Sequence, residues 1–401
     1  MDQKSVRINL VGDILLHSRY DRIAEEKGPH FVFAKCGELL GDADLRFGNL
    51  ECVLSNKGVP NPEKGCLRGD PRYIEALRDA GFGVLSLANN HALDFGTEAL
   101  VDMACASEEA GIRVVGGGRD LAESRRCPTL DVKGVKLGFL AYSARDNGGY
   151  NYAAEGVAGV APLDLDAVVE DITNYKELVD HLILSLHWGI EYSLYPTPDQ
   201  VSMGRKFIDA GASLIVGHHP RILQGHESYK HGVILYSIGN LCHSDLHLEG
   251  PTRTYKSELK LCEREAAIYR VSVSKERIEK VDIIPLWLND EGQPEPADDG
   301  RAADILKKIA ERSEVLTRAD FAAYWESMLI KKRVAGPLKV WWESGNLLDK
   351  LKNFKLSQIQ TLWVLCTDFI AMKFSSDSSK WQKLNPRNDK KPRPFCGHEE
   401  E

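Results

Sequence analysis

The sequence predicts an α/β fold of layered sheets and helices whose strand order is mixed. Two observations carry this. Apolar strand-like runs alternate with helix-patterned segments, and two strand pairs joined by tight turns interrupt that alternation. Length and composition agree, since 401 residues with 43% hydrophobic content provide for at least one large core. A disordered chain and a small disulfide scaffold are excluded.

The first strand starts almost at once. Val6, Ile8 and Leu10 alternate with Arg7 and Asn9, Val11 follows, and the run ends at Gly12-Asp13. Further apolar runs predict strands at 45–47, 84–88, 113–115, 182–185, 214–216 and 233–237. Helical patterns lie between several of them. The segment 71–80 closes with Gly81, 97–110 closes with Gly111, and 199–210 is opened by Thr197-Pro198 and closed by Gly211. Thr at the cap, Pro in the first turn and Gly past the end suit the unpaired groups of helix termini. Residues 129–132 and 135–142, turning at Lys133-Gly134, predict a β-hairpin. Residues 265–274 and 277–285, turning near Lys275-Glu276, predict another. Between Ser143 and Leu163 a Gly- and Ala-rich stretch lacks periodicity, which predicts a functional loop.

The composition changes after Trp287. Residues 1–288 are therefore expected to form one domain. Residues 289–300, acidic with two prolines, read as a linker. A helical extension is expected over 301–375, with helices at 301–312, 318–332 and 350–374. The polar residues 376–401 read as a disordered tail.

Charge and cysteine usage narrow the function classes. With 51 basic and 59 acidic residues the net charge is −8, so no nucleic-acid partner is expected, because such binding needs a basic face. Nine cysteines are scattered without a CxxC pair. That disfavours a zinc ribbon or a thioredoxin-like site and fits a reducing compartment. The N-terminal residues lack the pattern of a signal peptide. No run reaches the ~18 apolar residues that span a bilayer, and the best candidate, 361–372, contains Asp368. A soluble, cytoplasmic protein without a membrane anchor is expected. No signal bears on oligomeric state.

Polar residues cluster directly after the predicted strands: Gly12-Asp13; Gly48-Asn49-Leu50-Glu51; Asn89-Asn90-His91 and Asp94; His187-Trp188-Gly189 and Glu191; Gly217-His218-His219; Gly239-Asn240 and His243. The ends of successive strands converge on one edge of an α/β sheet, where ligands bind. Any one of these motifs alone reads as a turn, a cap or a packed histidine. Together they predict a shared site. Asp, Glu, Asn and neutral His form an oxygen/nitrogen ligand set suited to Mn²⁺, Fe²⁺ or Zn²⁺. Trp188, Tyr192 and Tyr195 follow His187 closely and could wall a pocket or join the core.

At this point the sequence resembles a known family. GDILL, FGNLE, LSLANNHALDFG, LSLHWGIEY, GASLIVGHHP and LYSIGN, in this order and spacing, are similar to the CapA family, and EGVAGVAPLD matches its loop before the fourth motif. That family is named for poly-γ-glutamate capsule biosynthesis. The resemblance covers roughly residues 5–285. It implies a layered α/β/β/α sandwich like that of calcineurin-like metallophosphoesterases. It also implies metal ligands at Asp13, Asn49, Glu51, Asn90, His187, His218 and His219, with His91 as proton donor to a leaving oxygen. Two positions depart from the pattern. Leu15 stands where the superfamily's first motif has a His, and Arg221 stands where the CapA pattern often has another. One or two divalent ions are therefore expected, and Arg221 is expected to bind an anionic group bidentately.

The function expected from this is a soluble metal-dependent hydrolase, specifically a phosphoesterase acting through a metal-activated water on a small or polymeric anionic substrate. The alternatives are a non-hydrolytic part in making or exporting poly-γ-glutamate or another anionic polymer, and a degenerate binding module.

Overall fold

A computed structural model describes residues 5–62, 64–145, 152–249 and 254–330. Two compact units are present. Among described residues the larger runs through 5–196 and 200–316, and the smaller comprises 197–199 and 317–330. The smaller unit contains one described helix, Phe321–Ile330. The larger unit carries the two sheets.

The first sheet forms around the N-terminal strand, Val6–Ile14. On one side it pairs in parallel with Leu45–Leu50, which continues to Phe82–Ser86 and Arg113–Val115. On its other side it pairs antiparallel with Glu265–Val273, followed by Ile278–Leu288 and Pro294–Pro296. Asn240–Cys242 pairs in parallel with its C-terminal end. The second sheet has six strands among described residues. Val135–Ser143, His181–His187, Leu214–His218 and Gly232–Leu235 are parallel. Hairpin partners Thr129–Val132 and His226–Tyr229 are antiparallel. Both sheets are mixed, as the two predicted hairpins required.

The period-2 pattern makes the layers. Val6, Ile8, Leu10, Phe47 and Val84 from the first sheet share one core with Leu137, Phe139, Ile183, Val216 and Leu235 from the second. Phe47 and Phe139 stack at 5.8 Å across it. The opposite face of the first sheet packs Val11, Leu50 and Leu85 with Tyr20, Leu77, Leu100 and Met103 of helices Arg19–Glu26, Tyr73–Asp79 and Gly96–Glu109. Helices Leu165–Tyr175 and Pro198–Ala210 flank the second sheet. Tyr142 donates from its strand to Asp171 of the first of these at 2.7 Å. The result is an α/β/β/α sandwich, as expected. Each fully buried Ile, Leu or Phe contributes about 1.5–3 kcal/mol.

Two expectations are corrected. Residues 289–300 are not a linker. Pro294–Pro296 extends the first sheet, with Leu286 opposite Pro296 and Leu288 opposite Pro294. An edge strand tolerates prolines because its outer N–H groups have no ladder partner. Nor is the segment after 300 wholly an extension. Helix Asp299–Leu316 buries Ile305 and Ile309 in the core between the sheets. The acidic run has structural partners: Glu295 pairs with Lys35 at 2.7 Å, and Asp298 accepts from the Arg301 N–H at 2.9 Å. The predicted loop 143–163 is tied down where it is described. Gly159–Val160 pairs with Gly117–Gly118, and Leu121 N–H donates to Ala154 O at 3.0 Å. Predicted helix 350–374 and tail 376–401 lie outside the described residues.

Candidate metal centre

Strand register brings the motif residues together. Asp13 is aligned with Asn49 on one neighbouring strand and with Asn240 on the other. In the second sheet His187 is aligned with His218. Asp13, Asn49, His187 and His218 lie at the C-terminal ends of their strands, and Asn240 opens its own. Gly12 allows the close approach: a Cβ there would lie 2.0 Å from Gly239 O, while Asp13 N–H donates to that same carbonyl at 2.9 Å.

Asp13 is fully buried. Its Oδ1 accepts from Asn49 Nδ2 at 2.8 Å, and its Oδ2 accepts from the His219 N–H at 3.1 Å. His218 Nδ1 lies 3.0 Å from Oδ1, but neither ring nitrogen of His218 makes a well-directed hydrogen bond; we read this as a close polar contact. Asn49 Oδ1 accepts from Asn89 Nδ2 at 3.2 Å, and Asn89 also donates to Leu50 O. His187 Nε2 sits 2.9 Å from Asn90 Oδ1, 3.1 Å from His219 Nδ1 and 3.7 Å from Glu51 Oε1.

The turn carrying the last motif is strained. His219 and Arg221, on either side of Pro220, have φ of 96° and 65°, a region that costs a non-glycine residue about 1–3 kcal/mol. Neighbouring backbone holds it: Trp188 N–H donates to His218 O and Tyr192 N–H donates to Pro220 O. This strain directs both side chains inward. Arg221 is buried, its Nε donating to Glu191 at 3.2 Å and its Nη1 to His243 Nε2 at 2.9 Å.

His91 faces the same region. Its Nδ1 is 2.7 Å from Asp94 Oδ2, and Asp94 Oδ1 pairs with Lys64 at 2.6 Å. Burial pushes His91 down to about 4, with Asp94 opposing the shift. Burial likewise pushes His187 and His219 below the usual imidazole value, so both are neutral, the form that ligates metals. For Asp13, burial disfavours ionisation, but His218, His187 and Asn49 together outweigh it and hold the carboxyl well below its ordinary value. Burial and then the Asp13 charge push Glu51 well above its own.

These residues fit a divalent ion. Glu51, His187 and His219 offer donor atoms that all lie within 4.8 Å of one another, all buried. Both Glu51 carboxylate oxygens are buried without a hydrogen-bond partner, a costly state that a cation relieves. Asn90 Oδ1 adjoins the set through His187. Two surface hollows of about 240 and 300 Å³ lie elsewhere, lined by residues such as Leu100 and Arg126, or Phe33 and Arg46, and by none of these residues.

Residues 7–244 match the family model described as bacterial capsule synthesis protein PGA_cap. The chain belongs to that family. Family relatives include a capsule biosynthesis protein CapA of Bacillus anthracis, 28% identical over 80% of this chain and 77% of that one. A PGA biosynthesis protein CapA of Bacillus subtilis (strain 168) is 29% identical over 78% of each chain. Among solved structures, the chain is similar to a novel phosphatase from Mycoplasma pneumoniae, with TM-score 0.48, 13% identity and coverage of 76% and 97%. No helix among the described residues is long and apolar enough to cross a membrane.

For this family member the structure adds residues that motif reading left without a role. Asp94 and His243 stood in the motifs, but nothing in the sequence tied Asp94 to His91 or His243 to Arg221. Lys64 and Glu263 gave no signal at all. Glu263 is buried, accepts from Tyr192 O–H at 3.1 Å and lies 3.5 Å from His243. His17, whose spacing fits no ligand motif, is fully buried with Nε2 unpartnered. Leu15 lies in the apolar core beneath the first sheet.

Proposed function

We propose that this capsule-synthesis family member is a metal-dependent hydrolase of anionic esters, specifically a phosphoesterase. The observation that carries the proposal is the buried cluster of Glu51, His187 and His219, in which Glu51 lacks any hydrogen-bond partner. Glu51, His187, His219 and the Asn90 amide oxygen would hold a divalent ion of the Mn²⁺, Fe²⁺ or Zn²⁺ type. Asp13, Asn49 and His218 adjoin this set, with Asn49 3.4 Å from His187 Nδ1. A bound ion supplies Lewis acidity and lowers the pKa of water towards neutrality.

The remaining steps use this chain's own side chains. Arg221, fixed by Glu191 and His243, binds an anionic oxygen of the substrate and neutralises its charge. His91, in the imidazolium form that an anionic substrate beside it favours over the free site's value of about 4, donates a proton from Nε2 to the leaving oxygen. Asp94, accepting from Nδ1, orients the ring and stabilises the proton-bearing form. The names of the relatives, capsule and PGA biosynthesis proteins, support an anionic polymer as substrate.

A panel of phosphomonoesters and phosphodiesters tests this. Turnover should disappear on chelation, return with Mn²⁺, Fe²⁺ or Zn²⁺, and be absent in His187→Ala. A metal-loaded protein inert towards every ester contradicts hydrolysis. The relatives' printed roles in capsule and PGA biosynthesis favour, as the second reading, a non-hydrolytic part in forming an anionic polymer. Polymer binding without turnover supports that reading.

A further inference from the structure

We infer that Lys64 is a positioning residue for the proposed hydrolysis: its ammonium clamps the turn on both sides of His91 and so fixes the proton donor relative to the metal cluster. This rests on the hydrolase reading above and deepens it by giving a role to a residue that belongs to no motif.

Lys64 Nζ donates to the backbone carbonyl of Asn90, the residue before His91, and pairs with Asp94 Oδ1 at 2.6 Å, three residues after it. An ammonium carries three divergent N–H donors, so one group can serve a carbonyl and a carboxylate that face it from different directions. The Lys64 side chain is only 16% exposed and that of Asp94 is fully buried, so the pair is more than a solvated surface contact.

The partners of Asp94 show what the clamp controls. Its Oδ2 lies 2.7 Å from His91 Nδ1 and accepts from the Leu67 N–H at 2.6 Å. Lys64 takes the other oxygen. Without the ammonium, Oδ1 is a buried carboxylate oxygen stripped of its lysine, a costly state that favours rotation of the carboxylate, and the oxygen beneath His91 turns with it. On the opposite side Asn89 Oδ1 accepts from the His91 N–H at 3.1 Å. The backbone of His91 is thus held by Asn89, and its ring is held by Asp94 under Lys64. The same ammonium holds the main chain of Asn90, whose Oδ1 lies 2.9 Å from His187 Nε2. Proton donor and metal cluster are therefore tied through one side chain.

The stretch that carries Lys64 is fastened to the turn it clamps. Val53 N–H donates to Leu67 O, Gly69 N–H donates to Val53 O, and Asn61 N–H donates to Asp94 O at 2.8 Å. The Arg68 guanidinium lies 3.6 Å from the centre of the Phe95 ring. A Cβ on Gly58 would lie 1.9 Å from Phe95 O. These ties converge on Asp94 and Phe95. Lys64 spends its donors on protein acceptors, so its effect belongs in kcat and not in substrate binding.

The test uses the full metal-loaded chain and a series of aryl phosphomonoesters and phosphodiesters of graded leaving-group pKa. Lys64→Met keeps the length of the side chain without its donors. Its kcat should fall about 10- to 100-fold on the poorest leaving groups and less on the best ones, with KM almost unchanged. In the Asp94→Asn background the same change should cost less than in the wild type, since the two residues act as one unit. Lys64→Arg keeps the charge but presents it as a planar fork; it should lose less than Lys64→Met with the same dependence on leaving group, and it decides the matter if the methionine variant does not fold. Wild-type kcat in the methionine variant, or in the arginine variant on the poorest leaving groups, overturns the proposal. So do equal losses on every leaving group, which mark general damage, a raised KM with kcat kept, which marks a substrate contact, and full additivity with Asp94→Asn. A metal-loaded wild type inert towards the whole series overturns the hydrolase reading, and this inference with it, which separates that failure from the others.

Discussion

The decisive contacts are between pairs of side chains distant in sequence. Asp13 meets Asn49 and His218, and His187 meets Asn90, His219 and Glu51. His91 with Asp94 is the exception, three residues apart and 2.7 Å in contact. His91→Ala should keep metal content and lose about 10²–10⁴-fold in turnover, less for substrates with good leaving groups that need little protonation. Equal losses across leaving groups would contradict proton donation. Asp94→Asn should keep the metal and lose about 10- to 100-fold, as expected for a group that orients another; steady-state kinetics with metal assay checks both. Gly12→Ala belongs to this scale too. Its Cβ would meet Gly239 O at 2.0 Å, so a loss of about 2–4 kcal/mol in urea unfolding is expected, with reduced metal content because Asp13 is displaced.

Strands and their ends were the legible elements. Alternating runs such as VRINLV marked the first sheet, and the turns at Lys133-Gly134 and Lys275-Glu276 disclosed the antiparallel partners. The convergence of Asp13, Asn49, Glu51, Asn90, His187 and His219 could be read because each follows an apolar run. The short helix Arg19–Glu26 was not legible: its N-terminus has no side-chain cap, and within eight residues five charged ones surround the buried Tyr20, Ile23 and Ala24. Lys64 sits in an irregular segment and Glu263 in the four-residue helix Leu261–Arg264, both too short for periodicity to mark them. Helix Asp299–Leu316 was misplaced because its acidic, proline-containing approach resembles a linker, although Ile305 and Ile309 enter the inter-sheet core. Ile309→Ala should therefore destabilise the protein by about 2–5 kcal/mol. A change below about 0.5 kcal/mol in denaturant unfolding would show that this helix is an appendage.

Across the larger unit, two sheets and their helices bring six strand ends to one edge, and folding alone leaves Glu51 buried without a hydrogen-bond partner. Ion binding should then couple to global stability. At a free ion concentration about 100-fold above its dissociation constant the native state should gain about 2.7 kcal/mol, and chelation should lower Tm accordingly. A Tm indifferent to chelator and to added ion would contradict this coupling. The most direct measurement is anomalous diffraction from crystals equilibrated with Mn²⁺ or Zn²⁺. The expected result is a peak about 2.0–2.3 Å from a Glu51 oxygen and from ring nitrogens of His187 and His219. A featureless map at that cluster under saturating metal, or a peak held by other residues, would contradict the assignment of the centre.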